Sequence, residues 1–159
     1  MINSSLKDVH PLSLRIDAAN QRLEVLRDGK VHKCYAISTS RFGLGFEHGS
    51  NKTPLGRFVV GEKIGAAAAL GAVFKSRQPT GEIASQGGEE DLILTRILWL
   101  AGLEEANANT RERYIYIHGT NQEELLGTPA SHGCVRMSNA DIKEFFDETP
   151  EGTVVEIVA

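Results

Sequence analysis

The sequence has no cluster of lysine and arginine residues, and its formal net charge is −4. A surface that binds nucleic acid needs a concentration of positive charge, so this absence argues against a nucleic-acid partner. In an acidic protein of this kind, a small anionic peptide substrate would need local arginines to bind it.

Long apolar runs are also missing. Residues 1–11 contain Lys7, Asp8 and His10 and no apolar run of seven residues, so they do not read as a signal peptide. No later stretch approaches the roughly 20 apolar residues that cross a bilayer. The sequence as written predicts a cytoplasmic protein that is not inserted in a membrane, or a periplasmic one if a leader has been removed.

Cysteine is scarce, with Cys34 and Cys134 the two in the chain. The two thiols could in principle pair, but in a reducing compartment we expect both to be free. Cys34 lies in a predicted strand and is interpreted as a small core residue. The length of 159 residues and the 41% hydrophobic content suit one compact core, so we predict a single domain over residues 1–159.

The pattern along the chain is mainly that of β-strands. Predicted strands cover residues 12–17, 22–26, 31–38, 58–60, 91–103, 114–117 and 153–158, and one helix runs from Ser138 or Asn139 to about Asp147. Residues 41–52 form a glycine-containing loop that leads to a turn at 53–56. Residues 61–88 are the least regular part, and we interpret them as a mobile cover over the site or as a short buried turn.

Two histidines and one cysteine lie close together in the sequence after residue 113. The strand at 114–117 is expected to deliver His118 to its end, open to solvent. A polar loop follows, and then Ser131-His132-Gly133-Cys134-Val135-Arg136. A glycine beside a cysteine permits a positive φ or a close backbone approach, so this is a plausible nucleophile turn.

A catalytic cysteine needs a base, because a thiol with a pKa of about 8.5 is mostly protonated at neutral pH. His118 comes from a separate strand, as such bases usually do, whereas His132 is two residues from Cys134 and need not aim its ring at the sulfur. The amides of Gly133 and Cys134 can face a developing oxyanion. The chemistry indicated is acyl transfer through a thioester.

Two alternatives remain open on the residues alone. A lone cysteine among small and apolar residues is usually a buried structural thiol. A zinc site built from His118, His132 and Cys134 is the other, although its spacing matches no usual pattern of paired ligands and lacks a clear fourth ligand.

The motif from His118-Gly119 to Ser131-His132-Gly133-Cys134-Val135-Arg136 closely resembles the signature of L,D-transpeptidase (YkuD-type) catalytic domains. The upstream Lys52-Thr53-Pro54-Leu55-Gly56-Arg57-Phe58 is similar to that family's Thr-Pro-x-Gly-x-Phe segment. The resemblance covers about residues 11–159, the expected core of the domain. It implies a mainly β fold, the β-sandwich of these catalytic domains, with one short helix after the nucleophile.

The resemblance implies roles for individual residues. Cys134 corresponds to the nucleophile and His118 to its base, which the carbonyl of Gly119 orients. Gly133 and Cys134 match the oxyanion donors, and Ser131 and His132 match positions that shape the site beside the thiol. Ser131, Arg136 and Tyr116 are the predicted substrate-binding residues. Arg136 stands where many members have asparagine, and we predict that it holds an anionic group of the substrate, the alternative being a surface ion pair.

The resemblance also implies a peptidoglycan stem tetrapeptide as substrate, with no cofactor and no metal. The diaminopimelate carbonyl would acylate Cys134 and terminal D-alanine would leave. Water as acceptor gives an L,D-carboxypeptidase, and an amine gives an L,D-transpeptidase that forms cross-links or exchanges D-amino acids. Because no leader is visible, the hydrolytic activity on recycled muropeptides is favoured. A non-catalytic peptide-binding module and a zinc-stabilised domain are the alternatives from other classes of protein.

The sequence departs from the family pattern at one loop. The loop between His118 and Ser131 is somewhat shorter than in most members of the family.

Overall fold

A computed structural model describes residues 12–159 of the chain. The expectation that no signal peptide is present concerns residues 1–11 and lies outside the described part. The first three strands are β1 (Leu12–Asp17), β2 (Arg22–Arg27) and β3 (Lys30–Ala36), and they pair in antiparallel order. Leu14 and Ile16 alternate with more exposed residues in β1, which is the pattern of a strand with one face in the core.

The remaining strands were predicted in part. They are β4 (Gly56–Ile64), β5 (Ala72–Lys75), β6 (Gln78–Ile83), β7 (Ile93–Gly102), β8 (Tyr116–Gly119), β9 (Val135–Met137) and β10 (Val154–Val158). The helix α1 (Asn139–Glu148) follows β9, and a short 3-10 helix spans Glu123–Leu125. The Ser138 hydroxyl accepts the Asp141 N–H and caps α1, as its position before the apolar face predicts.

The strands form one hydrogen-bonded sheet that curls back on itself. The order from one edge is β3, β2, β1, β10, β4 and β7, and β8 and β9 continue beyond β7. Ser38, just after β3, forms an antiparallel bridge with Arg136 in β9. The sheet therefore closes around its larger core, whose residues come from both ends of the chain and from α1, among them Leu14, Phe58, Ile117, Phe145 and Ile157. The predicted mainly β fold with one short helix after Cys134 is confirmed.

A second, smaller cluster lies beside the nucleophile turn. It consists of Ala72, Phe74, Ile97, Trp99 and Tyr116, and Cys134 packs against it. Ala72 and Phe74 belong to the β5–β6 hairpin, which pairs with β7. Residues 61–88, interpreted from sequence as a mobile cover or a short buried turn, thus contain the end of β4 and the β5–β6 hairpin, whose apolar residues pack on β7. Mobility of this segment stays a prediction.

Cys34 does not belong to the core. Its side chain is exposed on β3, where the buried neighbour is Tyr35. The prediction of a small core residue was wrong because the alternation of this edge strand places Tyr35, rather than Cys34, on the inner face.

Candidate active site

The parallel pairing of β8 with β9 brings the predicted site residues together. Ile117 pairs with Val135, and His118 pairs with Arg136. Side chains alternate along a strand, so His118 and Arg136 share a face with Tyr116 and with Cys134, which directly precedes β9. Strand spacing of about 4.8 Å and a rise of about 3.3 Å per residue put the Cα atoms of His118 and Cys134 about 8 Å apart. The thiol and this imidazole are thus diagonal neighbours.

The Cys134 thiol is half-buried and held by two backbone groups. Sγ donates to the Tyr114 carbonyl at 3.3 Å and accepts the Tyr116 N–H at 3.3 Å. Burial raises the pKa of Cys134 to about 12. The hydrogen bond from the Tyr116 N–H lowers this pKa, but its effect is smaller than that of burial. The thiol is therefore neutral at neutral pH. Within residues 12–159 it forms no hydrogen bond to His118.

His118 is buried, with 2% of its surface exposed, and lies inside β8 rather than after its end. The expectation that it is open to solvent was wrong, because the strand begins two residues later than predicted and runs through the histidine. Nδ1 lies 2.6 Å from the Gly119 carbonyl oxygen. A carbonyl can only accept, so Nδ1 carries the proton and Nε2 has the free lone pair. Burial lowers the pKa of His118 and keeps the ring neutral, although Asp91 acts in the opposite direction.

Gly119 permits the tight packing that fixes this histidine. A Cβ at Gly119 would overlap with the Asn139 side chain and with the Leu94 carbonyl. The side-chain amide of Asn139, the first residue of α1, also donates a hydrogen bond to the Thr120 carbonyl and accepts one from the Thr95 hydroxyl. The start of α1 thus holds the end of β8, and with it the carbonyl that orients His118.

The turn before Cys134 is fixed from both sides. Gly133 has φ +125°, a conformation that favours glycine. The buried Ser131 hydroxyl donates to the Cys134 carbonyl at 2.6 Å, and Thr53 Oγ1 donates to the Gly133 carbonyl at 2.9 Å. The Thr-Pro segment upstream therefore supports the nucleophile turn directly. For Ser131 the geometry favours positioning of the turn, and its direct contact with substrate stays a prediction.

The two amides proposed as oxyanion donors differ. The Gly133 N–H donates to Ser131 Oγ at 3.2 Å. No acceptor for the Cys134 N–H is found among the described residues. The Cys134 amide is thus available to a developing oxyanion, whereas the Gly133 amide has to leave Ser131 first.

His132 contacts a residue that the sequence did not reveal. Its Nδ1 lies 3.0 Å from Asp91 Oδ2, and its ring packs against Phe42 at a centroid distance of 5.8 Å. The His132 side chain is half exposed. This arrangement turns the ring toward Asp91, so it favours a supporting role for His132 rather than that of the base.

Arg136 is fully buried, so the alternative of a surface ion pair is wrong. Its Nη1 donates to Asp91 Oδ1 at 3.1 Å and to Gln122 Oε1 at 2.7 Å. The guanidinium already has a carboxylate partner. The geometry favours a positioning role for Arg136, and direct binding of substrate by it stays a prediction.

Asp91 joins these groups electrostatically. Burial raises the pKa of Asp91, but His118, His132 and Arg136 together outweigh it and hold the pKa below its ordinary value. Asp91 lies about 40 residues before the motif in the sequence, in a run of acidic residues after two glycines. Nothing local marks it, so only the fold reveals its contact with the site.

An aromatic wall adjoins the thiol. Tyr116 and Trp99 meet edge to face at 5.7 Å, and Trp99 lies 5.9 Å from Tyr114, whose side chain is half exposed. The Arg77 guanidinium lies over the Trp99 and Tyr114 rings at 4.8 Å and 5.2 Å and donates to Tyr116 Oη at 3.2 Å. The Tyr116 ring itself is buried, so the predicted binding of substrate by Tyr116 would act through this wall.

A cavity of about 240 Å³ opens beside the thiol-bearing turn. It is lined by His48, Gly49, Asn51, Glu112, Arg113, Tyr114, Ile115 and His132. The His48 side chain is exposed. The cavity lies next to Tyr114, whose carbonyl holds the thiol, and is large enough for part of a peptide chain.

Two further features bear on the alternatives. Among residues 12–159, no three His, Cys, Asp or Glu side chains are grouped so that they could hold a metal ion, so a zinc site at His118, His132 and Cys134 has no geometric support. The same part of the chain contains no helix long and apolar enough to cross a membrane.

The chain thus forms a closed β domain in which a thiol and a buried, oriented imidazole lie on neighbouring strands. This arrangement is that of a cysteine-dependent type of catalytic domain, and comparison with known proteins identifies the family. The family model of the YkuD L,D-transpeptidase catalytic domain matches residues 12–157. The chain belongs to this family, and the resemblance stated from its motifs is confirmed.

Individual relatives agree with the family match. The putative L,D-transpeptidase YqjB of Bacillus subtilis (strain 168) is 30% identical over 141 residues, which are 88% of this chain and 67% of that protein. The probable L,D-transpeptidase YbiS of Escherichia coli (strain K12) is 48% identical over 46 residues, which are 29% of this chain and 15% of that protein. The match to YbiS thus spans a small part of that relative's length.

Solved structures share the fold. An L,D-transpeptidase from Xylanimonas cellulosilytica has a TM-score of 0.60 at 23% identity, over 96% of this chain and 62% of that one. L,D-transpeptidase 3 from Mycobacterium tuberculosis, in complex with a faropenem-derived adduct, has a TM-score of 0.60 at 16% identity, over 94% of this chain and 61% of that one. At these identities the likeness concerns the fold.

Proposed function

We propose that the chain catalyses cysteine-dependent acyl transfer on peptidoglycan stem tetrapeptides and cleaves the bond between diaminopimelate and D-alanine. The observation that carries the proposal is the placement of Cys134 and His118 on one face of two paired strands, with the His118 Nδ1 proton directed to the Gly119 carbonyl. Nε2 is then the unprotonated nitrogen, as a general base requires.

The proposed first step starts from two neutral groups. Cys134 Sγ attacks the diaminopimelate carbonyl carbon while His118 Nε2 takes the thiol proton, and the carbonyl oxygen becomes an oxyanion beside the Cys134 N–H. The C–N bond then breaks, the imidazolium returns its proton to the leaving amine, and D-alanine departs. The product is a thioester between Cys134 and the tripeptide.

Water is the acceptor we favour. His118 takes a proton from water as its oxygen attacks the thioester, and collapse releases the tripeptide acid and restores the thiol. Water is far more concentrated than any amine, so hydrolysis dominates unless the site orients an amine and excludes water. The open cavity beside His132 and Tyr114 supports access of water. On this proposal the protein is an L,D-carboxypeptidase that acts on soluble muropeptide fragments.

Transpeptidation is the second candidate, and the names of the relatives favour it. YqjB and YbiS are described as a putative and a probable L,D-transpeptidase. In that reaction an amine of a second stem peptide or of a D-amino acid attacks the same thioester. The two candidates differ in the acceptor and share every step up to the acyl-enzyme.

Product analysis separates them. The protein is incubated with a stem tetrapeptide, with and without an added D-amino acid, and the products are resolved by liquid chromatography with mass detection. Hydrolysis predicts free D-alanine and tripeptide as the main products, with minor exchange. Cross-linked or exchanged peptides as the main products would move the assignment to transpeptidase.

The mass of the intact protein is measured by mass spectrometry in the same experiment. An adduct of tripeptide mass on the wild type that is absent from Cys134→Ala supports the thioester. Binding of the tetrapeptide by both proteins without any turnover would instead indicate a peptide-binding module.

A further inference from the structure

Four arginines lie near the thiol or against the aromatic wall beside it, and three of them have their acceptors within the protein. Arg136 is buried against Asp91, and Arg111 pairs with Glu62 at 3.1 Å. Arg113 donates to the Gly45 and Lys52 carbonyls and to the Ser50 hydroxyl. Arg136 and Arg113 are therefore tied to the fold, and Arg111 has a carboxylate partner in an ion pair that is about half exposed.

Arg77 is different. No carboxylate of residues 12–159 lies within 4.0 Å of its guanidinium, and its hydrogen bond goes to the Tyr116 hydroxyl. A guanidinium has five N–H donors in one plane. The guanidinium carbon lies over the Trp99 and Tyr114 rings, and the side chain is partly exposed. Among the described residues, the Nη1 bond to Tyr116 is the one hydrogen bond found for it, so further N–H donors remain for an acceptor.

The position of Arg77 relative to the nucleophile follows from its neighbours. The Tyr116 hydroxyl accepts a hydrogen bond from Arg77, and the Tyr116 backbone N–H donates one to Cys134 Sγ. The thiol in turn donates a hydrogen bond to the Tyr114 carbonyl. Arg77 is therefore one side chain away from the reacting sulfur. A peptide bound at the thiol extends about 3.5 Å per residue, so the residues beside the scissile bond come within reach of the guanidinium.

The backbone at Arg77 is strained. Ser76 and Arg77 are the two residues between β5 and β6, with φ +48° and +63°. Turns of this geometry favour glycine, asparagine and aspartate, and other residues cost about 1 kcal/mol or more there. Residues in such conformations persist where the surrounding structure holds them, and they cluster at active sites and ligand clamps. Here the turn holds the arginine at the tip of the hairpin, above the aromatic wall.

We propose that Arg77 is a specificity-determining residue that binds a carboxylate of the substrate residues flanking the scissile bond. The inference rests on the proposed function and deepens it. A stem tetrapeptide offers two such carboxylates, the terminal one of D-alanine and the free one on the diaminopimelate side chain. Both present the same bidentate acceptor to the guanidinium.

The test combines substrate amides with arginine variants. Three tetrapeptides are compared: the free acid, its C-terminal amide, and the amide of the diaminopimelate side-chain carboxylate. Each is assayed with wild type, Arg77→Ala, Arg77→Lys and the matched control Arg111→Ala. Circular dichroism and thermal melting check that each variant is folded, and Arg77→Lys retains the charge if Arg77→Ala does not fold.

The wild type is expected to lose about ten- to hundredfold in kcat/KM on one of the two amides, the size of a charged hydrogen bond. That amide identifies the carboxylate. Arg77→Ala loses a similar factor on the free acid and no longer distinguishes it from that amide, and Arg77→Lys recovers part of the difference. Arg111→Ala keeps the wild-type discrimination.

Two results would overturn the inference and leave the proposed function intact. One is a wild type that turns over both amides as fast as the acid. The other is an Arg77→Ala or Arg77→Lys enzyme that loses the same factor on all three substrates, which would indicate a structural role in the wall. A wild type that turns over none of the tetrapeptides rejects the proposed function and the inference with it.

Discussion

Asp91 and Arg136 form an ion pair, Oδ1 to Nη1 3.1 Å, in which the arginine is fully buried and the carboxylate is 19% exposed. Removing one partner of a buried pair leaves the other charge desolvated and unpaired. We therefore expect Arg136→Ala to lower the free energy of unfolding by about 3–5 kcal/mol, measured by urea denaturation. Arg57→Ala, which truncates an exposed arginine, is the control and should stay within about 0.5 kcal/mol of wild type. A loss below about 1 kcal/mol for Arg136→Ala would show that the pair adds little to the fold.

The nucleophile is tested by the two cysteines of the chain. Cys134→Ala and Cys134→Ser are expected to abolish turnover of a tetrapeptide and to keep the circular dichroism spectrum, because the proposed chemistry needs the sulfur. Cys34→Ser should keep full activity and stability, since that side chain is exposed on β3. Near wild-type turnover by Cys134→Ala would rule out the mechanism.

The two histidines are expected to differ in their effect on acylation. His118→Gln removes the proposed base, and a loss of about 10²- to 10⁴-fold in the acylation rate is the usual size of such an effect. His132→Gln should cost less, because its ring faces Asp91 at 3.0 Å. Rapid-mixing mass spectrometry of the acyl-enzyme measures both rates. If only the His132 variant is slow, the two roles have to be exchanged.

Alkylation of Cys134 should depend steeply on pH. Burial raises the pKa of this thiol to about 12, so the thiolate fraction continues to grow far above neutral pH. With Cys34→Ser as the background, the rate of reaction with iodoacetamide is expected to rise about tenfold per pH unit between pH 7 and 10. A free thiol such as glutathione levels off near pH 9 under the same conditions. A plateau for Cys134 below pH 9 would contradict a raised pKa for this thiol.

The buried His118 should make the fold less stable as the pH falls. Its pKa is lowered in the folded chain from an ordinary value of 6.5, so below that pH the unfolded chain binds a proton that the folded chain does not. The stability contributed by the neutral ring is therefore present above pH 6.5 and is lost progressively below it. The slope is at most about 1.4 kcal/mol per pH unit.

Urea denaturation between pH 7.5 and 5 measures this slope. His118→Gln should flatten it, whereas His32→Gln, which replaces an exposed histidine, should leave it unchanged. Equal slopes for wild type and His118→Gln would contradict the assignment of a buried neutral ring.

Much of the fold was predictable because its signals are local. Ser138 before an apolar face predicted the start of α1, and β-branched residues between 91 and 103 predicted β7. The positive φ at Gly133, before Cys134, was also predictable from the glycine beside the thiol. Cys34 and the hairpin at 72–83 were not, since a half-polar edge strand and a hairpin with a Ser-Arg turn show no clear local pattern.

The site was predictable only where the chain itself brings residues together. Cys134 and His132 are neighbours in sequence, and His118 precedes them at the end of one strand. Asp91 and Arg77 meet these residues through the pairing of β7 with β8 and β5, and no spacing in the sequence encodes that contact. The burial of His118 follows from the same pairing, so sequence alone placed it in solvent.

The pairing of β1 with β10 has a consequence for how the protein is made. These strands run parallel in the middle of the sheet, Leu14 beside Val155 and Ile16 beside Ile157, although some 140 residues separate them along the chain. On the ribosome β1 cannot pair with β10 until β10 has been synthesised. The middle of the sheet therefore forms late, and contacts of such long range are formed slowly. Until then the edges of β1 and β4 that pair with β10 stay without a partner strand, so the newly made chain is prone to edge-to-edge aggregation until β10 is released.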